Sequence, residues 1–472
     1  MPFSSITFLF LFLPITLILY YVFPRKGWRG VVLVLTSLFF FIWADPTHIH
    51  VLLFSILINY LCGKLIGKAQ SDKSTKIAKH RLWIGLGLNL IILGFYKYTG
   101  FSLKTIESIF NISISYSGPA LPIGISFFTF SGISYLLDIY NDVNPPENNL
   151  IRFSSYLIMF PKLLQGPITR FSQIKNSLHN PQFIPMDIMQ GARRFIGGLA
   201  KKVILADSLS VATNLIYSSN FSDMGAGVAW FGLIAYTLQI YLDFSGYTDM
   251  AIGIGQMLGM KLPENFDFPY ISKSITDFWR RWHITLGAWF RIYLFIPLEF
   301  ARKKTRHFRQ QSNILIVFLL TGLWHGASWN FVIWGLYNGL ILAIEASGFG
   351  KKLKKTAPIL QHTYSLLLIA FGWIFFRITK VSEWGAFWGA LLGRNGWSSD
   401  ITFRSLNILF YIPFLIPALI FATPIFHNIA EKTKAKGGVK LIVLDLIYIV
   451  IFIFTLTFII SKGFNPFMYV EF

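Results

Sequence analysis

The chain has 472 residues, of which 54% are hydrophobic and 13% charged, whereas a soluble domain of ordinary usage carries roughly twice that share of charge. Its formal net charge is +21, yet the basic residues cluster between apolar runs, the pattern of cytoplasmic loops in a membrane protein, and this turns the reading away from nucleic acid. A single cysteine, Cys62, excludes an intramolecular disulfide and any cysteine-rich metal site.

The first apolar run, Ile6 to Phe23, has no basic residue before it and no small-residue cleavage site after it, and Arg25, Lys26 and Arg29 follow directly. It is expected to remain as a first membrane helix, with its N-terminus outside the cell membrane and its basic end in the cytoplasm. Further spans are predicted at about Gly30 to Ala44, His50 to Ile66, Leu82 to Tyr96, Leu121 to Tyr140 and Gly225 to Leu242. Later ones fall at Asn313 to Trp334, Gly335 to Ala346, Tyr364 to Phe376, Leu406 to Ile425 and Leu441 to Ile460. Several are short for a full crossing of roughly 20 residues, which suggests tilted or re-entrant helices buried in protein. The chain reads as one integral-membrane domain over residues 1–472, with its catalytic core at about 120–345, where charge, glycine and proline interrupt the apolar stretches. No repeat of the solenoid type and no likeness between the halves supports an inverted-repeat transporter.

Ionisable groups inside apolar segments are costly, so they point to function. His325 is expected in mid-segment within "LTGLWHGASWNFVIWGLYNG" (Leu320 to Gly339), flanked by Gly322 and Gly326, which would let a helix or a substrate approach its backbone. A core histidine bonded to a carbonyl is the plain alternative; at bilayer depth, an imidazole that takes a proton from a hydroxyl or carries an acyl group is favoured. In "DFWRRWHITLGAWFRIYLFIPL" (Asp277 to Leu298), a continuous helix would place Trp279, His283, Leu286 and Phe290 on one face. The segment looks too charged to cross and is expected to lie at the interface; an aromatic belt accounts for its Trp and Arg residues but not for His283.

Asp243, in "YLDFSGYTDMAIGIG" (Tyr241 to Gly255), is spaced to meet Tyr247, and a structural pairing with Arg280 or Arg281 is as well supported as a catalytic role. Lys201 and Lys202 head an apolar run and, with the arginines, could form a cationic mouth for phosphates; ordinary cytoplasmic anchoring accounts for them slightly better. No metal site is expected, because His48 and His50 lack Cys partners and there is no H-E-x-x-H helix. The absence of a G-x-S-x-G elbow and of a P-loop argues against a serine hydrolase and an ATPase.

The ordered set "LPIGISFFTF", "GGLAKKVILAD", "LDFSGYTDMAIGIGQMLG", "NFDFPYISKSITDFWRRWHITLGAWFRIYLFIPL", "LTGLWHGASWNFVIWGLYNG" and "NPFMYVEF" resembles the membrane-bound O-acyltransferase family, nearest to its alginate O-acetyltransferase branch. The likeness runs over essentially the whole chain, and "FWRRWHITLGAWFR" and "GLWHGASWN" are its specific parts. It implies an all-α polytopic fold, about a dozen transmembrane and re-entrant helices around a central funnel. It implies that His325 is the catalytic histidine of the W-H-G element and that His283 is a second histidine near the same tunnel. Arg280, Arg281, Trp279 and Trp282 match residues lining the cytoplasmic approach. Acetyl-CoA would be the acyl donor, with no permanently bound cofactor. The acetyl group would leave toward an extracytoplasmic polysaccharide through a partner transferase of the SGNH type, from a multi-pass protein of the inner cell membrane.

The expected mechanism has His325 as general base or acyl carrier, His283 with nearby donors stabilising the oxyanion, and Arg280, Arg281, Lys201 and Lys202 holding the CoA phosphates. Two alternatives stand beside it: another acyl transfer on the same fold, such as D-alanyl transfer or acylation of peptidoglycan, lipid or protein, and a proton-coupled transporter.

Overall fold

The computed structural model describes residues 1–23, 25–116, 118–303, 308–398, 408–436 and 438–462. The closing "NPFMYVEF" lies outside the described residues, as do four residues of the basic run 302–309. Among the described residues the secondary structure is helical, with no strand. This suits the medium, since in lipid every backbone polar group must be satisfied without water, and a helix does so within its own segment.

Among the described residues, eight helices are long and apolar enough to cross a membrane, or nine if the bent pair Phe410–Phe421 and Ile425–Thr433, which meet at 64°, is one broken span. Two shorter apolar helices, Phe8–Val22 and Ile125–Tyr140, accompany them. The all-α polytopic architecture expected from the sequence is thus present. The predicted runs locate most of the spans, while packing lengthens several of them. The run expected at Leu82 to Tyr96 is the middle of a 36-residue helix, Thr75–Phe110, and that at Gly225 to Leu242 belongs to the 32-residue helix Ala226–Met257.

The chain forms two compact units. The first comprises Met1–Phe195 and Thr248–Glu264. Its apolar centre is an aromatic cluster in which Phe3, Phe8, Phe40 and Phe160 are fully buried. Polar groups inside it close on one another: the carboxamides of Asn59 and Asn89 exchange hydrogen bonds of 3.1 and 2.9 Å. Arg194 likewise holds Asp249 at 2.9 Å and also pairs with Glu264.

The second unit comprises Ile196–Tyr247 and Asn265–Phe472. Its core is built from Tyr241, Phe278, Trp282, Trp334, Trp373 and Phe376 together with aliphatic neighbours. Two departures from the sequence-based expectation shape this unit. The predicted span Asn313 to Trp334 is not one helix but a hairpin, Arg309–His325 and Trp329–Ile344, turning at Gly326. A Cβ at Gly322 would sit 2.3 Å from the Phe331 carbonyl oxygen, and one at Gly335 would sit 2.4 Å from that of Phe318. It is the returning helix, therefore, that uses the small residues beside His325, which lies at a helix end and not in mid-segment.

The segment Asp277 to Leu298 is also broken. Helix Ile275–Arg281 stops at Trp282, His283 adopts a left-handed conformation (φ 46°, ψ 52°), and a second helix starts at Ile284. Trp279, His283, Leu286 and Phe290 therefore do not sit on one continuous helix, because the left-handed residue turns one helix against the other, yet all four line one cavity. The second helix runs through Ile284–Ala301 and, despite the charge that suggested an interfacial helix, has the length and composition of a span.

Candidate active site

Both histidines belong to the second unit, and its folding brings them together. The rings of His283 and His325 lie 6.4 Å apart, centroid to centroid, and Trp324 stands 5.8 Å from the one and 5.0 Å from the other. Each residue is buried, with 2% and 3% of its surface exposed. Trp334 and Phe376 present ring edges to His325 at 5.0 and 5.6 Å.

Beside them is a cavity of about 1120 Å³, at the upper end of the size of ligand sites. His283 is in its wall, with Trp279, Leu286, Phe290, Phe318 and Thr321, and His325 is not among the described residues that line it.

The position of His283 has a local cause. Asn265 clamps the left-handed turn from two sides. Its backbone carbonyl accepts the Ile284 N–H at 2.9 Å, and its side-chain Oδ1 accepts the Thr285 N–H at 3.2 Å and the Thr285 hydroxyl at 2.8 Å. Because a backbone N–H can only donate, the atom facing it is the carboxamide oxygen, not the nitrogen. The same oxygen lies 3.1 Å from His283 Nδ1. Nδ1 must then carry the proton, and in the neutral ring Nε2 is left with a lone pair. Nε2 is buried without a hydrogen-bond partner among the described residues. This corrects the expected oxyanion role for His283: a neutral ring in this tautomer accepts at Nε2 and has no N–H there to offer an oxyanion. The complementary donor in the same wall is Trp279, whose Nε1–H is likewise buried and unpartnered. An unpaired buried polar atom costs about 1–3 kcal/mol, and two of them belong to residues of this cavity's wall, although neither nitrogen is itself open to the cavity.

The cations also sort themselves. Lys273, Arg280, Arg291, Lys351 and Lys354 line the cavity, and no carboxylate pairs with any of them among the described residues. The two carboxylates that line it are occupied elsewhere. Asp277 pairs with Arg281 at 3.1 Å. Glu345 accepts the N–H groups of Ile275 and Thr276, both at 2.8 Å, and the Thr276 hydroxyl at 2.6 Å. Together with Ser274, whose hydroxyl accepts the Asp277 N–H at 3.0 Å, Glu345 satisfies the start of the short helix carrying Trp279 and Arg280.

Three of the expected phosphate-binding residues, Arg281, Lys201 and Lys202, lie elsewhere, as does Trp282, which was expected to line the approach. Arg281 points to Asp267 at 2.8 Å as well as to Asp277. Trp282 is 1% exposed and packs into the aromatic core, 4.9 Å from Trp373 and 5.0 Å from Phe266. Lys202 is buried between Asp207 and Asp243, with both contacts at 2.7 Å. Burial alone would lower its proton affinity, but the two carboxylates outweigh it and hold the ammonium above the usual lysine range. Asp243 is therefore structural, with Lys202 as its partner instead of Arg280 or Arg281. Lys201 is not among the described residues lining the cavity.

Asn265, Glu345, Lys273, Lys351 and Lys354 were not singled out in the sequence as site residues. "KKLKK" (Lys351 to Lys355) had been legible only as a basic loop, and Asn265 lies 18 residues before the histidine it orients.

A cavity walled by histidine, indole and unpaired cations, set among membrane helices, is the arrangement of an intramembrane transferase, and the comparisons agree. Residues 125–380 match the membrane-bound O-acyltransferase family. The chain belongs to that family and is a multi-pass membrane O-acyltransferase. It is 36% identical to "Probable alginate O-acetylase AlgI" of Pseudomonas putida over 100% of both chains. It is 34% identical to the "Peptidoglycan O-acetyltransferase" of Helicobacter pylori, over 84% of this chain and 80% of that one. To the "Teichoic acid D-alanyltransferase" of Bacillus subtilis it is 31% identical over 47% of this chain and 58% of the other.

Proposed function

We propose that the protein takes an acetyl group from cytosolic acetyl-CoA and passes it across the inner cell membrane for O-acetylation of an extracytoplasmic polysaccharide, alginate or one like it. The observation that carries this reading is the cavity with an imidazole in its wall and five unpaired cations around it. Cations of that kind suit the phosphates of a nucleotide thioester, and the apolar wall suits its pantetheine arm. In this reading Arg280, with Lys273, Arg291, Lys351 and Lys354, holds the donor. His283 meets the thioester from the cavity, the Trp279 N–H faces its carbonyl oxygen, and His325 acts as general base on the acceptor hydroxyl. The N-terminus is extracytoplasmic, and a partner transferase of the SGNH type completes delivery to the polymer. The names of the relatives matched over four fifths or more of both chains support acetyl over other acyl groups.

The test is mass analysis of exported polysaccharide from cells fed labelled acetate, with and without this protein and with His325→Ala at unchanged protein level. Loss of labelled O-acetyl groups in both is expected. Acetylation that persists in the variant overturns the role of His325, and a mass shift of another acyl group overturns the donor. Reconstituted protein that moves solute without consuming acetyl-CoA would return the reading to a transporter.

A further inference from the structure

We infer that Asn265 is a positioning residue of the transfer site: it locks the tautomer of His283, a residue of the cavity wall, so that Nε2 carries a lone pair and not an N–H. The inference rests on the proposed role of that cavity for its catalytic meaning, but not for its structural content.

Asn265 is 1% exposed and His283 is 2% exposed, so solvent does not arbitrate between them. Oδ1 of Asn265 receives three donors, the Thr285 N–H, the Thr285 hydroxyl and His283 Nδ1–H, at 3.2, 2.8 and 3.1 Å. The first of these cannot reverse its direction, which fixes the oxygen in place and with it the proton on Nδ1. Phe244 and Trp324 meet the His283 ring in edge-to-face contacts at 4.8 and 5.8 Å. Nothing among the described residues competes for Nε2. In a ring whose two nitrogens exchange roles, the hydrogen bond made by one decides what the other can do. Here the bond to Asn265 makes Nε2 an acceptor, suited to take a proton from an approaching hydroxyl or to approach a carbonyl carbon, and unsuited to donate to an oxyanion. The left-handed backbone at His283, which costs a non-glycine residue about 1–2 kcal/mol, is held by the Ile284 N–H to Asn265 carbonyl bond of 2.9 Å. One residue thus sets both the ring's place and its protonation pattern.

The experiment uses the full-length protein in lipid nanodiscs, with 15N-labelled histidine and solid-state NMR of the His283 nitrogens, assigned by loss of the signal in His283→Ala. The wild type should show a protonated Nδ1 and an unprotonated Nε2. Asn265→Ala should mix the two tautomers and lower kcat for acyl transfer about tenfold, the factor that one net hydrogen bond represents, with little change in KM for the donor. Asn265→Asp, which keeps an acceptor in the same place, should keep Nδ1 protonated and recover most of kcat. A wild-type ring protonated at Nε2, or an Asn265→Ala ring with unchanged tautomer, overturns the inference whatever the activity. If the tautomers behave as expected and His283→Ala transfers acyl groups at the wild-type rate, the proposed role of the cavity fails while the tautomer lock stands. Should Asn265→Ala fail to fold, the comparison between wild type and Asn265→Asp decides: Nε2 protonation in either one refutes the lock.

Discussion

Two basic places in the second unit offered themselves as sites, and they differ in how their charges are answered. Around Lys202, every charge meets an opposite one at 2.7 Å in a nearly dry setting. Around Arg280, cations face a cavity and the nearby carboxylates are bound to other groups. The first pattern is a structural clasp, where desolvation is offset from within. The second leaves its electrostatic and hydrogen-bonding potential unspent, as a ligand site must. Adjacent residues repeat the lesson, for Arg280 lines the cavity while Arg281 closes on Asp267 and Asp277. Position in sequence hardly separates these two arginines, and their partners separate them completely.

The sharpest way to break this comparison is at the imidazole. His283→Ala should lower the rate of acyl transfer by about 10²–10⁴-fold, the range for loss of a positioned acid–base group, with the protein still folded, as read by single-turnover transfer in proteoliposomes. An unchanged rate would make the cavity a bystander.

At the clasp, Lys202→Ala breaks a buried ion pair with Asp243, 4% exposed on its side chain, and should cost about 3–5 kcal/mol of stability. Thermal unfolding in detergent should show this as a large fall in midpoint, whereas an altered donor KM in a stably folded variant would move Lys202 back toward the site. Glu345→Ala should be milder, about 1–3 kcal/mol, because it strips acceptors from the buried start of the helix that carries Arg280. Its signature is a combined loss of stability and rise in donor KM.

The smallest effects test the two neighbouring arginines. Arg280→Ala should raise the donor KM by about fivefold to tenfold at unchanged kcat, the value of one solvent-accessible charge-assisted contact. Arg281→Ala should leave KM alone and change stability by less than about 1 kcal/mol, as exposed ion pairs do. Equal KM effects in the two would dissolve the distinction between them.

Much of this was legible in the amino-acid sequence. Long apolar runs and stranded basic clusters are consequences of hydrocarbon and of the cost of moving positive charge across it, so membrane class and helical architecture could be read without coordinates. The cost of a polar group in an apolar segment likewise pointed to His325 and His283. What the helical period misjudged were breaks: it ran one helix through His283 and another through Gly326, because a single left-handed residue or a tight return leaves little trace in hydrophobicity. Lys202 and Trp282 were read as cofactor contacts for a related reason. A cation or an indole has the same symbol whether it faces a cavity or a carboxylate, and the partners of Lys202, Asp243 among them, lie up to 41 residues away.

The sequence by itself determined the medium, the helical class and the two imidazoles, since each follows from local composition and from the solvation free energy of single groups. Only the tertiary structure decided which cations remain unpaired, which nitrogen of His283 carries its proton and which histidine borders the cavity. Those are properties of pairs of atoms brought together across the chain, and hydrogen-bond direction and ion pairing exist only once both partners are in place.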